Sequence, residues 1–140
     1  MKARFFTLQE LVPPDLYRQH GDRCWLFLDP DILRGADWLR EIFGPITINT
    51  WAWEGSYKES GLREFNTRTG AAMSMHKYGR ALDLKPVRAS VQEVHKHILD
   101  NEEEAYFNGI RRIENLELTP TWIHIDSANT DTVDMVTVIY

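Results

Sequence analysis

The sequence holds one cysteine among 140 residues, so no internal disulfide can form and packing alone must stabilise the fold. That cysteine, Cys24, sits in the apolar run 24–28, which predicts a buried core thiol rather than a nucleophile. No stretch of about eighteen apolar residues occurs, so no membrane-spanning segment is expected. Positive charge is also short: 16 Lys and Arg face 21 Asp and Glu, for a net charge of −5. Proteins that bind nucleic acid non-specifically concentrate cations to displace counterions, so no nucleic-acid partner is expected. Residues 1–15 carry basic side chains but no apolar h-region. This predicts a chain made in the cytoplasm without a signal peptide. Internal repeats and low-complexity segments are missing too.

What remains is an ordinary globular balance, 43% apolar and 26% charged, with a length that suits one domain spanning 1–140. Residues 5–20 read as a short helix or turn broken by Pro13 and Pro14. Asp29-Pro30 is an N-cap followed by proline at the first helical position, and Ile32, Leu33, Ala36, Leu39, Ile42 and Phe43 continue with helical spacing until Gly44-Pro45. A β-branched strand is expected at 46–51, then a long loop over 54–75, a length that is often functional. Ala81–Leu84 reads as a short strand ended by Pro86. Ser90 and Glu93 form a capping-box pair opening a helix at 91–101, and strands are expected near 108–113, 121–126 and 133–139. Such a mixture of separate helices and strands favours an α+β fold.

Chemistry concentrates at two places. His76 and Asp83 lie in Ser74-Met75-His76-Lys77-Tyr78-Gly79-Arg80-Ala81-Leu82-Asp83, and His124 lies in Trp122-Ile123-His124-Ile125-Asp126. Strand alternation turns Ile123 and Ile125 to one face and Trp122, His124 and Asp126 to the other. Two His and one Asp are ligand types that hold zinc while leaving a fourth position open. A single histidine between two isoleucines is more often a hydrogen-bonded strand residue. The pairing of H-x2-G-x-A-x-D with a later W-x-H-x-D is what makes the pattern specific. His95 and His97, two apart on a helix, point different ways and read as surface residues, and His20 has no partner nearby in sequence.

The first segment resembles the S-x-H-x-x-G-x-A-x-D signature of zinc D-alanyl-D-alanine carboxypeptidases, whose relatives include dipeptidases, phage endolysins and the hedgehog domain. The second resembles the segment that supplies the family's third ligand. The resemblance covers roughly residues 46–126. It implies a small antiparallel sheet flanked by helices and Zn²⁺ held by His76, Asp83 and His124, with Ser74 steadying the loop or a ligand. It further implies hydrolysis of peptide bonds in peptidoglycan stem peptides or a small peptide, in a phage or prophage protein released through the membrane or carried on a virion.

One position departs from the pattern. Where the dipeptidases carry a general-base glutamate three residues before the last histidine, this chain has Thr121. Glu114, at the end of the strand before His124, is the substitute expected, with Glu117 as the alternative. The family's oxyanion-stabilising arginine has no counterpart at 50–53, so Arg63 is assigned that role, with Arg68 also available in the loop. Trp51 and Trp53 alternate about Ala52 and either wall the cleft or pack in the core; Tyr78 is expected at its mouth. Asp126 is expected to orient a neighbour.

Overall fold

The computed structural model describes all of residues 1–140. Five helices and five strands alternate irregularly along it. They are α1 (Leu8–Leu11), α2 (Pro14–His20), α3 (Pro30–Phe43), β1 (Ile46–Thr47), β2 (Ala81–Pro86), α4 (Val91–Asp100), α5 (Glu102–Phe107), β3 (Arg112–Glu114), β4 (Ile123–Asp126) and β5 (Thr137–Ile139). The fold class is α+β. No helix is long and apolar enough to cross a membrane.

The two helices with clear start signals form as their sequences dictate. The Asp29 side chain accepts a hydrogen bond from the Asp31 amide at the start of α3. Ser90 and Glu93 close a reciprocal capping box at the start of α4. Pro13 separates α1 from α2, as the proline pair predicts. Elsewhere the boundaries shift. The strand expected at 46–51 ends at Thr47, and Trp51–Trp53 is a 3-10 turn, so the two tryptophans do not alternate across a sheet. The strand expected at 108–113 begins only at Arg112, because α5 occupies Glu102–Phe107. β2 runs on through Pro86, which pairs with Ile46 at the short end of the sheet.

The sheet order is β1-β2-β4-β3-β5. Its inner pairs are antiparallel, but β5 runs parallel to β3, so the sheet is mixed rather than wholly antiparallel. The cause is topological. β2 and β3 occupy both edges of β4, and the chain leaving β4 returns to the outer edge of β3, where it runs in the same direction as that strand.

One face of this sheet is apolar. Leu82, Leu84, Ile113, Ile123 and Ile125 are all buried in a core shared with Ile32, Leu33, Ala36 and Leu39 of α3 and Val94 and Ile98 of α4. Full burial of each such Leu or Ile is worth about 1.5–3 kcal/mol relative to exposure, which fixes the register of every strand. His95 and His97, expected on the surface, are half-buried. The His97 ring packs 5.4 Å from Trp38 and 5.2 Å from Phe43, two aromatic side chains of α3 that cover it. Cys24 is buried as expected, and burial raises its thiol pKa. His20 stays exposed at the end of α2, edge-on to Phe27.

Gly79 makes the sharp turn that delivers β2. Its φ is +68°, and a Cβ there would stand 1.8 Å from the Phe27 carbonyl oxygen. Gly79→Ala should therefore cost more than the roughly 1–2 kcal/mol of a left-handed non-glycine residue alone. Urea denaturation of the metal-free variant against the unaltered chain would show the loss as a lowered midpoint.

Candidate metal centre

The polar face of the sheet carries the site. Period-2 alternation puts Asp83 and Lys85 of β2, His124 and Asp126 of β4, and Arg112 and Glu114 of β3 opposite the core residues. Register does the rest: Asp83 pairs directly with His124, and Arg112 with Asp126. His76 arrives from outside the sheet, on the 3-10 turn Met75–Tyr78. Ser74 caps that turn by accepting a hydrogen bond from the His76 amide at 3.3 Å.

These elements bring His76, Asp83 and His124 together, with one potential ligand atom from each lying within 4.8 Å of the others. Asp83 Oδ1 stands 3.2 Å from His76 Nε2 and 3.1 Å from His124 Nδ1. Tetrahedral zinc with bonds of about 2.0–2.1 Å would set its ligand atoms about 3.4 Å apart, close to that spacing. The outward-facing atoms are also satisfied. His76 Nδ1 lies 2.8 Å from the Gly61 carbonyl, which can only accept, so Nδ1 carries a proton and Nε2 is the nitrogen turned toward Asp83. His124 Nε2 lies 2.8 Å from Asp126 Oδ2, leaving Nδ1 to face Asp83. Asp126 is fully buried and receives both Nε and a terminal nitrogen of Arg112, at 2.8 and 3.0 Å. Arg63 donates to the other Asp83 oxygen at 3.2 Å and to the Glu59 carbonyl at 2.7 Å. Outer partners of this kind fix ligand orientation in metal sites. The residues present fit a divalent cation.

The electrostatics agree with the geometry. Burial opposes ionisation of Asp83, but hydrogen bonds from His124 and His76 outweigh it and hold the carboxyl well below the usual range. Burial disfavours the charged His124 ring, yet the bonds to Asp126 and Asp83 prevail and push its pKa up to about 9. Asp126 is likewise held down, burial being outweighed by His124 and Arg112.

A cavity of about 430 Å³ opens over the three residues. Arg63, Ser74, Glu114, Trp122 and Asp126 line it with them. Glu117 does not: it is exposed beyond β3, its amide bonded to the Asn115 side chain. Thr121 is exposed as well. Tyr78 lines a separate, mostly apolar cavity of about 550 Å³ with Phe65 and Phe27, because the turn after His76 swings it away. Trp51 is held by a bond to the Val12 carbonyl and Trp53 points to solvent, so neither walls the metal-ligand cavity. Arg68 is exposed and does not line that cavity.

Two contributors escaped the sequence reading. Arg112 had a usable signal, since it lies two residues before Glu114 on the same strand face. Gly61 had none, because it acts through its backbone carbonyl. No family model, curated protein or solved structure matches the chain.

Because a cation at Asp83 must displace the His124 proton, affinity should depend on pH. The folded value near 9 lies above the ordinary 6.5. The stability gained from protonating His124 in the metal-free protein is thus complete below about pH 6.5 and disappears as pH rises through about 9. Metal binding should strengthen in the same direction, about tenfold per unit between pH 7 and 8.5 for one proton displaced. Titration with Co²⁺, followed by its visible absorption at several pH values, measures this. A pH-independent affinity would show that His124 carries no proton to lose.

Proposed function

We propose that the chain is a zinc metallopeptidase that hydrolyses peptide bonds of peptidoglycan stem peptides, with a fold like that of the hedgehog and D-alanyl-D-alanine peptidase domains. The observation that carries this reading is the charge pattern of the cavity. Three carboxylates line it with the two histidines, and two of them already have cationic partners: Asp83 has Arg63, and Asp126 has Arg112. Glu114 has no ion-pair partner. A cavity with three preset ligands and one uncommitted carboxylate is what hydrolysis by an activated water requires. The motif resemblance supplies the substrate class.

When bound, the zinc ion would supply Lewis acidity, lowering the pKa of water and polarising a carbonyl. His76, Asp83 and His124 would hold it. Glu114 takes the proton from the attacking water and passes it to the leaving amine, the work that Thr121 cannot do. Arg63, fixed by Glu59 and Asp83, sets a positive charge in the cavity wall where negative charge grows on the carbonyl oxygen. Trp122 and Ser74 border the space for substrate.

A second reading keeps the zinc and drops turnover, and the threonine at position 121 favours it. Incubation with purified peptidoglycan and defined muropeptides separates the two. Chelation should abolish release of products, and added zinc should restore it. His124→Ala should lose the metal. Glu114→Gln should retain it and lose about 10²–10⁴-fold in rate, the usual worth of a positioned acid–base group. Normal turnover by Glu114→Gln would refute the base assignment; zinc binding without turnover by the unaltered chain would favour the second reading.

A further inference from the structure

The long loop before His76 is not featureless where it passes the metal centre. Within the segment 60–63, Ser60, Gly61 and Arg63 bond to the two ligand segments. The Ser60 carbonyl accepts from the Asp83 amide at 2.7 Å, and the Gly61 carbonyl accepts from His76 Nδ1 at 2.8 Å. The Arg63 amide donates to the His76 carbonyl at 3.0 Å, while its guanidinium reaches Asp83. Behind them, the Leu62 amide donates to the Leu11 carbonyl at 2.8 Å. A Cβ on Gly61 would stand 2.1 Å from that Leu11 oxygen, so the segment is pressed flat against the N-terminal helices. This strut holds His76 and Asp83 relative to each other, and through Gly61 it sets which nitrogen of His76 faces Asp83.

Ser60, the first residue of the strut, is held from two further directions. Its amide donates to Asn49 Oδ1 at 2.9 Å, and its hydroxyl accepts from Lys85 Nζ at 2.9 Å. Lys85 lies two residues beyond Asp83 on the same face of β2. Its ammonium also donates to the Asp83 carbonyl at 3.3 Å and sits 4.2 Å from the centre of the Tyr57 ring. No carboxylate forms an ion pair with it. A largely buried lysine with no carboxylate in direct contact is expensive, and burial lowers its pKa although the Asp83 charge opposes this. Here its donors are spent on the strut, on the backbone of a ligand residue and on an aromatic face.

We infer that Lys85 is a positioning residue of the metal centre: through Ser60 it locks the 60–63 strut onto β2 and so fixes the geometry and tautomer of His76. It touches none of the ligand atoms and does not itself line the cavity, so it acts only through others. The inference rests on the metal centre proposed above but not on peptidase activity.

Lys85→Met keeps the length and the contact with Tyr57 while removing the ammonium. Zinc affinity, measured against a competing chelator, should fall about 10–100-fold, the usual range for loss of an outer partner. In the metal-free protein, ¹⁵N correlation spectra of labelled histidine should show His76 with its proton on Nδ1 in the unaltered chain and a mixture of tautomers in the variant. Ser60→Ala should produce the same two changes, and the double variant should be no worse than the more affected single one. Ser60→Ala carries the test by itself if Lys85→Met does not fold. Wild-type affinity and an unchanged His76 spectrum in these variants would overturn the inference, as would additive losses. Failure of the unaltered chain to bind zinc would overturn the metal centre itself.

Discussion

One oxygen of Asp83 receives both imidazoles, and the second oxygen receives a guanidinium. The Asp83 side chain is only 13% exposed, so its charge is bearable only while those three donors stay in place. His124 is in the converse position, lying between two carboxylates with almost no water around it. The pair is therefore neutralised in one of two ways, by a proton on His124 or by a cation that replaces it.

The sheet makes this possible by dividing labour between its faces. Leu82 and Leu84 anchor β2 in the core, and Ile123 and Ile125 do the same for β4. A slip of one residue would send these apolar side chains into the cavity and the ligands into the core. Asp83 and His124 are thus held opposite each other by hydrophobic packing on the other side of the backbone. His76 has no such anchor. Its position comes from the Ser74 cap, the Gly79 turn and the strut at 60–63, all of them polar or backbone contacts.

That difference explains what could be read from the sequence. The caps at Asp29 and at Ser90 with Glu93 are local side-chain devices, and α3 and α4 begin where these place them. The alternation of Ile123, His124 and Ile125 gave the facing of β4 for the same reason. Trp51 and Trp53 mimicked a strand pattern, but the amides of Thr50 and Trp51 both bond to the Tyr57 carbonyl and curl the segment into a turn. Helix α5 was hidden because it is short and no side chain caps its start. The parallel β5 depends on which strand edges remain free, and no window of sequence contains that. Gly61 holds His76, and Ser60 holds the Asp83 amide, through backbone carbonyls, whose partners are invisible to residue type.

The cations around the cavity follow from the same constraint. Three carboxylates face two guanidiniums there, leaving one negative charge when both histidines are neutral. A divalent ion would turn that into a single positive charge. Had Arg63 and Arg112 been neutral residues, Asp83 and Asp126 would bring their full charge to the ion and quench its pull on a carbonyl oxygen. By engaging the carboxylates that build the site, the two arginines leave the cation under-compensated and Glu114 unpaired. The residues that hold the cavity together are thereby kept apart from the one carboxylate in it that has no ion-pair partner.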